Sequence, residues 1–518
     1  MAKLLLINPS YYRTYGSNEG GLGNPIYPVM ALACLAATAR HAGHEVKIVD
    51  MSYRKYDPDF IRSMLRAEQP DVLGITATTP LANQMRDISY IAKEVSADIL
   101  TIGGGAHASA FPDETLRQSA LDLVAFGEAD WTIVDVLDGL PHSEIAGVCY
   151  RDGDIIQTGE PRQMLADLDS LPIPAWDLYP IEDYKSHTSR LVVKNRPAST
   201  IEFSRGCVYK CDFCASKNTM GLGYRKKSPA RCADEMEVLY RLGYREVVLA
   251  DDIFTSDNHW AAEVCEEIIR RDIKMSWTCS NGIRVDSANS ELFRVMKRAG
   301  CYRVHFGFES GNDGVLQAFG KGGKATLEQG VEAVETARAA GLDTFGMFML
   351  GLSADTESTM QDTINYAKRV KVDAMRFGIT VPIPGTPMFN ELMRQKRIKS
   401  FDWDDYTVYN DAHQIYDHPN LAWSTINEYY RRSNVEAYLK NPGYMWRRFA
   451  RGVRTGEFFW DAYYFFAFLK TMRKHVSTQN ESYAYRDRWD AQGFDAECVA
   501  DISLQRTGTG TSWSRESV

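Results

Sequence analysis

Long apolar runs and an excess of basic charge are both absent from this 518-residue sequence. No segment approaches the roughly 18 uninterrupted apolar residues that a membrane-spanning helix needs. The first residues, MAKLLLINPSYY, hold an apolar run that is too short for a signal peptide. The formal net charge is −9, which argues against general binding to nucleic acid. We therefore expect a cytoplasmic protein with no transmembrane segment and no nucleic-acid partner.

Cysteine is also scarce, with ten in the chain. In a cytosolic protein, where thiols stay reduced, clustered cysteines indicate a metal or catalysis more often than disulfides. The composition, 44% hydrophobic and 25% charged, is that of an ordinary globular protein. Because single hydrophobic cores stop growing at roughly 250 to 300 residues, the length predicts more than one domain.

The first part of the chain alternates strand-length apolar runs with helix-period stretches. The runs are LLLIN (4–8), VKIVD (46–50), DVLGIT (71–76), ILTIGG (99–104) and LVAFGE (123–128). Continuous apolar strands that alternate with helices indicate a parallel sheet covered on both faces. We predict an α/β, doubly wound, flavodoxin-like domain over residues 1–140. Residues 141–195, rich in proline and aromatics at 171–184, are expected to link it to the next domain.

A second series of strands carries polar or glycine residues at its carboxyl ends. The predicted strands cover 200–205, 245–252, 276–281, 303–310, 343–351 and 374–382. Six such units predict a partial (β/α)6 barrel over residues 196–392, and barrel enzymes build their sites at the carboxyl ends of the strands. The polar residues there are Asp251, Asp252, Asn281 and Glu309.

The C-terminal part is dense in aromatics and arginine, most of all at 441–470. We predict a helical C-terminal domain over residues 393–475, whose apolar run is too short to cross a bilayer of ~30 Å. Two interpretations stay open: a lid that faces the substrate, or a buried helical appendix. Residues 476–518 have the composition of a poorly ordered tail.

Three cysteines, Cys207, Cys211 and Cys214, stand at spacings of four and three in RGCVYKCDFC. A structural zinc site requires four ligands, and this loop contains no histidine and no fourth cysteine. A 4Fe-4S cluster that only carries electrons is held by four thiolates. Three thiolates leave one iron open to bind a substrate, and this is the interpretation we favour.

The CxxxCxxC spacing of these cysteines resembles the signature of the radical S-adenosylmethionine (SAM) superfamily. The resemblance implies a 4Fe-4S cluster whose open iron is chelated by SAM, and a cleavage of SAM to methionine and a deoxyadenosyl radical. It also assigns six residues to SAM: Phe213, Asp251, Asp252, Asn281, Arg284 and Glu309. The phenylalanine flanks the adenine in the family, and the glutamate approaches the nucleoside and ribose.

The aspartate pair departs from the family pattern. It stands where the second strand commonly ends in a Gly-Gly-Glu-like segment near the amino group of SAM, so either aspartate is a candidate for that contact. Asn281 and Arg284 stand where polar contacts to the cofactor are frequent. For each carboxylate a purely structural role, such as capping a helix, is the alternative.

The domain order resembles the cobalamin-binding class of the same superfamily, which includes methyltransferases and magnesium-protoporphyrin ester cyclases. Its landmarks are the segments INP (7–9), GITATTP (74–80), GGGAHASAFPD (103–113) and FGEAD (126–130). The resemblance implies cobalamin contacts at Asn8, Thr76, Gly103, Gly104, Gly105, His107, Gly127 and Glu128. The Asp-x-His-x-x-Gly signature of classical cobalamin enzymes is absent, so we expect no histidine ligand on cobalt. His107 either touches the corrin or is an ordinary turn histidine.

The resemblance implies a cobalamin-dependent radical SAM methyltransferase that methylates an unactivated carbon of a small molecule. It also implies an electron donor such as flavodoxin or ferredoxin. One alternative is an oxidative cyclase or ring-modifying enzyme that acts on a tetrapyrrole or polyprenoid. Another is a non-catalytic corrinoid or redox-sensing module, which would have no use for a SAM site.

Overall fold

Two β-sheets, one mostly and one wholly parallel, follow one another along the chain and form the frame of the protein. The structure is a computed structural model that describes residues 1–12, 26–189, 193–320, 325–407, 412–471 and 483–490. Within these residues no helix is both long enough and apolar enough to cross a membrane.

The first sheet has seven strands in the order β2-β1-β3-β4-β5-β6-β7. Its strands are β1 (Lys3–Asn8), β2 (Glu45–Asp50), β3 (Val72–Thr76), β4 (Leu100–Gly104), β5 (Leu123–Ala125), β6 (Val148–Asp152) and β7 (Ile155–Thr158). The first five are parallel, and their order is that of flavodoxin-like folds. The predicted doubly wound domain is therefore confirmed.

Helices cover both faces of this sheet. They are Met30–His41, Pro58–Glu68, Ala82–Val95, Ala106–Ala110, Pro112–Arg117 and Thr132–Leu137. The helix Pro58–Glu68 shows why they form: Asp57 caps its amino end by accepting from two backbone N–H groups, and Ile61 and Leu65 bury one face.

A β-hairpin lies inside the segment that the sequence predicted as a linker. Strands β6 and β7 pair antiparallel with each other, and β6 pairs antiparallel with β5, so the hairpin extends the first sheet. Gly153, with a φ of +60°, lies in the turn between the two strands. The remainder of the segment contains the short helix Ile181–His187, whose Tyr184 is fully buried.

The second sheet has six parallel strands in the order β15-β14-β13-β12-β11-β8. Its strands are β8 (Ala198–Ile201), β11 (Glu246–Leu249), β12 (Ser276–Ile283), β13 (Cys301–Glu309), β14 (Asp343–Leu350) and β15 (Ala374–Ile379). A two-stranded ribbon, β9 (Ser204–Arg205) with β10 (Arg225–Lys226), follows β8. The predicted partial barrel of six units is confirmed.

Helices follow the strands of the second sheet along the chain. They are Lys217–Met220, Pro229–Leu242, Asn258–Arg270, Ser290–Arg298, Asp313–Ala318, Leu327–Ala339, Glu357–Arg369 and Pro387–Arg394. Along β14 the burial alternates: Phe345, Met347 and Met349 are half-buried, whereas Phe348 and Leu350 are fully buried. Alternation of this kind means that the two faces of the sheet have different surroundings.

The C-terminal region is helical, as predicted, and consists of Trp423–Asn434, a π-helical turn Val435–Leu439, Pro442–Thr455 and Phe458–Thr471. Arg451 Nε donates to Asp343 Oδ2 at 2.7 Å, and the Tyr438 hydroxyl donates to the Met375 carbonyl at 2.6 Å. The helix Trp423–Asn434 begins beside Gly351, just after β14. Because Asp343 and Met375 lie at the amino ends of β14 and β15, the helices from Val435 onward lie at the end of the barrel opposite the cysteine loop. They do not form a lid over the cysteine loop.

Part of the predicted poorly ordered tail is packed against the first domain. The Tyr485 N–H donates to Asp87 Oδ1 at 2.7 Å, and the Tyr483 hydroxyl donates to the Asp404 carboxylate at 2.9 Å. Trp489, in the helix Arg486–Asp490, is buried. Three aromatic residues within seven positions explain why this segment packs. The rest of the predicted tail, 476–482 and 491–518, lies outside the described residues.

Candidate functional site

The three cysteines lie on the loop between β9 and β10, beside the carboxyl ends of the barrel strands. Cys207, Cys211 and Cys214 are half-buried and are not joined in disulfides. The loop begins at Gly206, with a φ of +84°, and a Cβ at this position would stand 1.9 Å from the Gly223 carbonyl oxygen. Only glycine permits such a close approach of two backbones. The start of the cysteine loop therefore requires Gly206.

Backbone hydrogen bonds tie the cysteine loop to the helices that follow β13 and β15. The Asp212 N–H donates to the Phe319 carbonyl, and the Met388 N–H donates to the Asp212 carbonyl, both at 3.1 Å. The Phe213 ring packs edge-on against Phe319, with 5.3 Å between ring centroids. The residue predicted to flank the adenine is thus held in place beside the cysteines.

The thiols are in an environment that disfavours the thiolate. Burial raises the pKa of Cys207 and of Cys214, and the charge of Asp252 raises both further. Glu309 adds to the effect at Cys214. Thiolate ligands require a compensating cation, so loading the loop with metal releases protons.

The donor set fits a 4Fe-4S cluster. In the described part of the chain no three His, Cys, Asp or Glu side chains converge on a single-ion site, and a cubane places each thiolate on its own iron. The other six cysteines that the structure describes are buried in the cores: Cys34, Cys149, Cys232, Cys265, Cys279 and Cys301. The three loop cysteines are thus the accessible ones among the described residues.

The two aspartates after β11 have different surroundings. Asp251 is buried and accepts hydrogen bonds from the Phe203 N–H, at 2.8 Å, and from the Ser204 hydroxyl. Burial raises its pKa to about 7. Asp252 is half-buried and accepts from the Gly206 N–H at 3.2 Å. The structure therefore brings Asp252 to the cysteine loop, whereas Asp251 joins β11 to the chain that enters the loop.

Arg284 and Asn281, both predicted to contact SAM, lie near the end of β12. Arg284 donates to both carboxylate oxygens of Asp286, at 2.9 and 2.8 Å, and its guanidinium stacks over the Tyr209 ring at 3.8 Å. Asn281 is exposed, and its Nδ2 donates to the Ala250 carbonyl at 2.7 Å. The sequence analysis did not single out Tyr209 or Asp286. Arg284 and Tyr209 are 75 positions apart, so only the fold reveals this stack.

Glu309 ends β13 in a left-handed conformation, with a φ of +58°. The register with β14 shifts between Gly307 and Glu309. A left-handed conformation costs an ordinary residue about 1 to 2 kcal/mol, and such strain is concentrated at functional sites. This backbone conformation places the Glu309 carboxylate near Cys214, where its negative charge raises the pKa of the Cys214 thiol.

The predicted cobalamin contacts fall into two groups. Thr76, Gly104, Gly105 and Gly127 are half-buried at the carboxyl edge of the first sheet, whereas Asn8, Gly103, His107 and Glu128 are buried. Gly105 has a φ of +101°, and a Cβ there would stand 2.6 Å from the Ala77 carbonyl oxygen. A Cβ on Gly103 would stand 2.5 Å from Leu121 Cδ1, so core packing explains that glycine. The half-buried group lies at the carboxyl edge, where open α/β sheets bind ligands.

Two of the buried residues have partners inside the protein. Asn8 Nδ2 donates to Asp50 Oδ1 at 2.7 Å and joins the ends of β1 and β2. His107 packs against Trp403, with 4.8 Å between ring centroids, and its Nε2 stands 3.6 Å from the Glu114 carboxylate. Burial lowers the pKa of His107. The structure therefore places His107 in the packing between the first domain and the chain after the barrel.

Glu128 belongs to a buried ion cluster that joins the two sheets. Its carboxylate pairs with Arg205, at 3.3 Å, and with Arg225, at 2.7 Å. Arg205 also pairs with Asp130 at 2.8 Å and with Glu202 at 2.7 Å. Arg205 stands two positions before the first cysteine, so acidic residues of the first domain position the entry to the cysteine loop. Arg205, Arg225 and Asp130 were not predicted from the sequence, because nothing local marks pairings across 75 to 97 positions.

The helices that follow the two carboxyl edges also meet. The helix Ala106–Ala110, after β4, packs against the helix Lys217–Met220, after the cysteines. A Cβ on Gly385 would stand 2.6 Å from Asn218 Nδ2 and 3.0 Å from Ala110 Cβ. The ligand edge of the first sheet therefore faces the cysteine loop.

Comparison with known families agrees with this arrangement. Residues 201–367 match the Radical SAM superfamily, and residues 24–137 match the B12 binding domain. The chain therefore matches both domains of the cobalamin-binding radical SAM class, in the predicted order. This confirms the predicted family and the three predicted cofactors: a 4Fe-4S cluster, SAM and cobalamin. The radical SAM match includes all three cysteines, and the B12-binding match includes Thr76 and the glycines at 103–105.

Relatives match this chain over most of their own length. The uncharacterized methyltransferase PH0819 of Pyrococcus horikoshii is 29% identical over 85% of this chain and 93% of the relative. The anaerobic magnesium-protoporphyrin IX monomethyl ester cyclase of Rubrivivax gelatinosus is 26% identical over 85% and 79%. The radical SAM methyltransferase TsrM of Kitasatospora setae, solved with cobalamin and a 4Fe-4S cluster, has a TM-score of 0.63 at 20% identity and covers 76% of this chain and 75% of its own. This last likeness shows the shared fold.

Proposed function

We propose that this enzyme transfers a methyl group to an unactivated carbon atom of a small molecule. The observation that carries the proposal is the junction of the two carboxyl edges. Glu128, after β5, pairs with Arg205 beside the cysteines, and the helices that follow the two edges are in contact. A methyl donor in the first domain and a radical source in the second must both reach one substrate carbon, and this arrangement supports such a geometry.

The bound cluster with SAM supplies a deoxyadenosyl radical, and cobalamin supplies the methyl group. The chain's own residues bind and orient these groups. Cys207, Cys211 and Cys214 are the ligands for three irons. Asp252 and Glu309 place carboxylates beside the same loop, where a carboxylate suits an ammonium or a ribose hydroxyl. Catalytic residues that touch the substrate are not assigned.

Phe213 and Tyr209 put aromatic surface on the two sides of the cysteine loop. The stack of Arg284 over Tyr209, with its bidentate pairing to Asp286, fixes the direction of the guanidinium. Such packing excludes water from a site where a reactive radical must meet its substrate and nothing else. An electron donor such as flavodoxin or ferredoxin, and a cytoplasmic location, belong to the same proposal.

An oxidative cyclase is the second candidate, because a relative named as one matches 85% of this chain. The two candidates share the cysteine loop and differ in the fate of SAM. A methyltransferase of this class consumes two molecules for each turnover: one gives S-adenosylhomocysteine, and one gives deoxyadenosine and methionine. A cyclase gives deoxyadenosine without a matched amount of S-adenosylhomocysteine.

The test is an anaerobic assay of the reconstituted full chain with methyl-labelled SAM, a low-potential reductant and a panel of candidate substrates. We expect label in the product and equal amounts of deoxyadenosine and S-adenosylhomocysteine. The triple change of Cys207, Cys211 and Cys214 to Ala removes the cluster and is expected to abolish both products. Deoxyadenosine that accumulates in step with substrate loss, with no label in any product, overturns methyl transfer in favour of the cyclase.

A further inference from the structure

Two C-terminal helices expose an apolar surface that we call the aromatic face: Trp446, Phe449, Val453, Phe458, Phe459, Trp460, Tyr463 and Phe466. On Pro442–Thr455 its members recur at spacings of three and four, so they lie on one side of the helix. Such a stripe ordinarily packs on a core, but here Trp446 is 67% exposed, Val453 60% and Phe459 82%. A contiguous exposed apolar surface of this kind marks an interaction site.

Ring contacts make the aromatic face continuous from one helix to the next. Trp446 stacks on Phe449 with 5.6 Å between centroids, and Phe449 meets Phe458 edge-on at 5.4 Å. Arg451, on the buried side of the same helix, pairs with Asp343 at the amino end of β14. The aromatic face therefore lies at the end of the barrel opposite the cysteine loop and is separate from the site described above.

The charge around the aromatic face is opposite in sign to that of the whole chain. Residues 440–471 contain six Lys and Arg but two Asp and Glu, in a chain of net charge −9. Both acidic residues are paired with arginines of the preceding helix: Glu457 with Arg451, and Asp461 with Arg448 and Arg451. Arg454 is 60% exposed at the edge of the face and pairs with Asp343, which Arg451 also contacts. With Asp343 included, the six cations of this region stand against three carboxylates. The surface is thus apolar and aromatic, with a positive border.

We propose that the aromatic face docks the enzyme on the surface of an anionic lipid bilayer. Tryptophan, tyrosine and phenylalanine are suited to the headgroup region, and arginines at the border attract anionic lipids. The helix Phe458–Thr471 has 14 residues, or about 21 Å at 1.5 Å per residue, which is shorter than a bilayer core of ~30 Å. It lies flat in the interface. A second copy of the chain is a poorer occupant, because a two-fold contact brings two positive borders together.

The test is co-flotation of the full chain with vesicles made of equal parts of phosphatidylglycerol and phosphatidylcholine, or of phosphatidylcholine alone. We expect the wild type to float with the anionic vesicles and much less with the neutral ones. Trp446→Ser combined with Phe459→Ser removes two exposed rings and is expected to weaken binding at least about tenfold. The matched control is Leu140→Ser with Ile155→Ser, since these residues are 38% and 63% exposed elsewhere on the surface. It is expected to bind as the wild type does.

Several results overturn the proposal: a wild type that stays unbound with both vesicles, a double variant that floats as well as the wild type, or an equal loss in the control pair. Sedimentation velocity tests the other candidate occupant of the aromatic face, a second copy of the chain. A concentration-dependent dimer that the Trp446/Phe459 variant loses assigns the face to a contact between copies of this chain. Circular dichroism and bound iron, unchanged in both variants, verify that the fold and the cysteine loop are intact.

Discussion

The two sheets are built from the same alternation of strand and helix, yet they present different faces. In the first sheet the central strands are buried on both sides, as in β1, where Leu4, Leu5, Leu6 and Ile7 are all inaccessible. In β14 of the second sheet, every second residue is only half-buried. A sheet that is covered on both faces binds ligands at the ends of its strands. A partly closed barrel has, in addition, an inner face that can contact a ligand.

The two sheets also hold their functional loops differently. The first sheet positions glycines by backbone geometry, as at Gly105. The cysteine loop of the barrel is held by backbone contacts too, but its start is also fixed by Arg205, which pairs with Glu128 and Asp130 of the first domain. The cysteine loop of the barrel therefore depends on contacts from the first domain more than the glycine turns of the first domain depend on the barrel. The Arg205 and Gly105 variants test this asymmetry, and the Asp251 variant tests the burial of a carboxylate beside the cysteine loop.

The largest effect is expected for Arg205→Ala. The change leaves the buried carboxylates of Glu128, Asp130 and Glu202 without their shared cation, and breaking a buried pair costs roughly 3 to 5 kcal/mol. Urea unfolding, followed by circular dichroism, is expected to show this loss together with reduced iron content. The control Arg40→Ala removes a pair with Asp177 that is well exposed, for which about 0 to 1 kcal/mol is expected. Equal losses in the two variants contradict the asymmetry.

An intermediate effect is expected for Gly105→Ala. The added Cβ meets the backbone of Ala77 at 2.6 Å in a left-handed conformation, for which we expect a loss of about 1 to 3 kcal/mol. Cobalamin binding, measured by absorbance titration, weakens, whereas the iron content stays at the wild-type value. The control Gly139→Ala has the same sign of φ, at +75°, with no atom near the added Cβ. A fall in iron content as large as that in Arg205→Ala shows that dependence runs in both directions.

The smallest effect is expected for Asp251→Asn, through pH. The pKa of Asp251 is raised to about 7 by burial, against about 3.9 in an unfolded chain. The unfolded state therefore holds fewer protons than the fold in this range, and this group makes the wild type less stable as pH rises from about 4 to 7. The melting temperature of the variant, relative to the wild type, is expected to rise between pH 5 and 8.

The control for that series is Asp257→Asn. Lys226 lowers the pKa of Asp257, so this carboxylate stays ionised between pH 5 and 8. The difference in melting temperature between Asp257→Asn and the wild type is therefore expected to stay constant over this range. If the difference in melting temperature between Asp251→Asn and the wild type is also constant over this range, the Asp251 carboxylate has an ordinary pKa and is accessible to water in solution. The measurement is made on the protein without its cluster.

Most strands of the two sheets and the cysteine loop could be predicted from the sequence, because buried strands are short apolar runs and the three cysteines lie close together in the chain. The hairpin β6–β7 was missed because CYRDGDIIQT is largely polar and lies beyond the last parallel strand. Partners far apart along the chain left no local signal, as with Arg205 and Glu128. Glu128 was predicted to contact cobalamin from the resemblance of FGEAD (126–130), and its two arginine partners are visible only in the structure.

The ion cluster around Arg205 has a consequence for modularity. A barrel inherited or engineered without its own first domain loses Glu128 and Asp130 and retains two arginines, Arg205 and Arg225, beside the cysteine loop. Chimeras that exchange the cobalamin domain must therefore transplant this acidic pair along with the ligand-binding edge. The unit of recombination in this enzyme is the pair of domains.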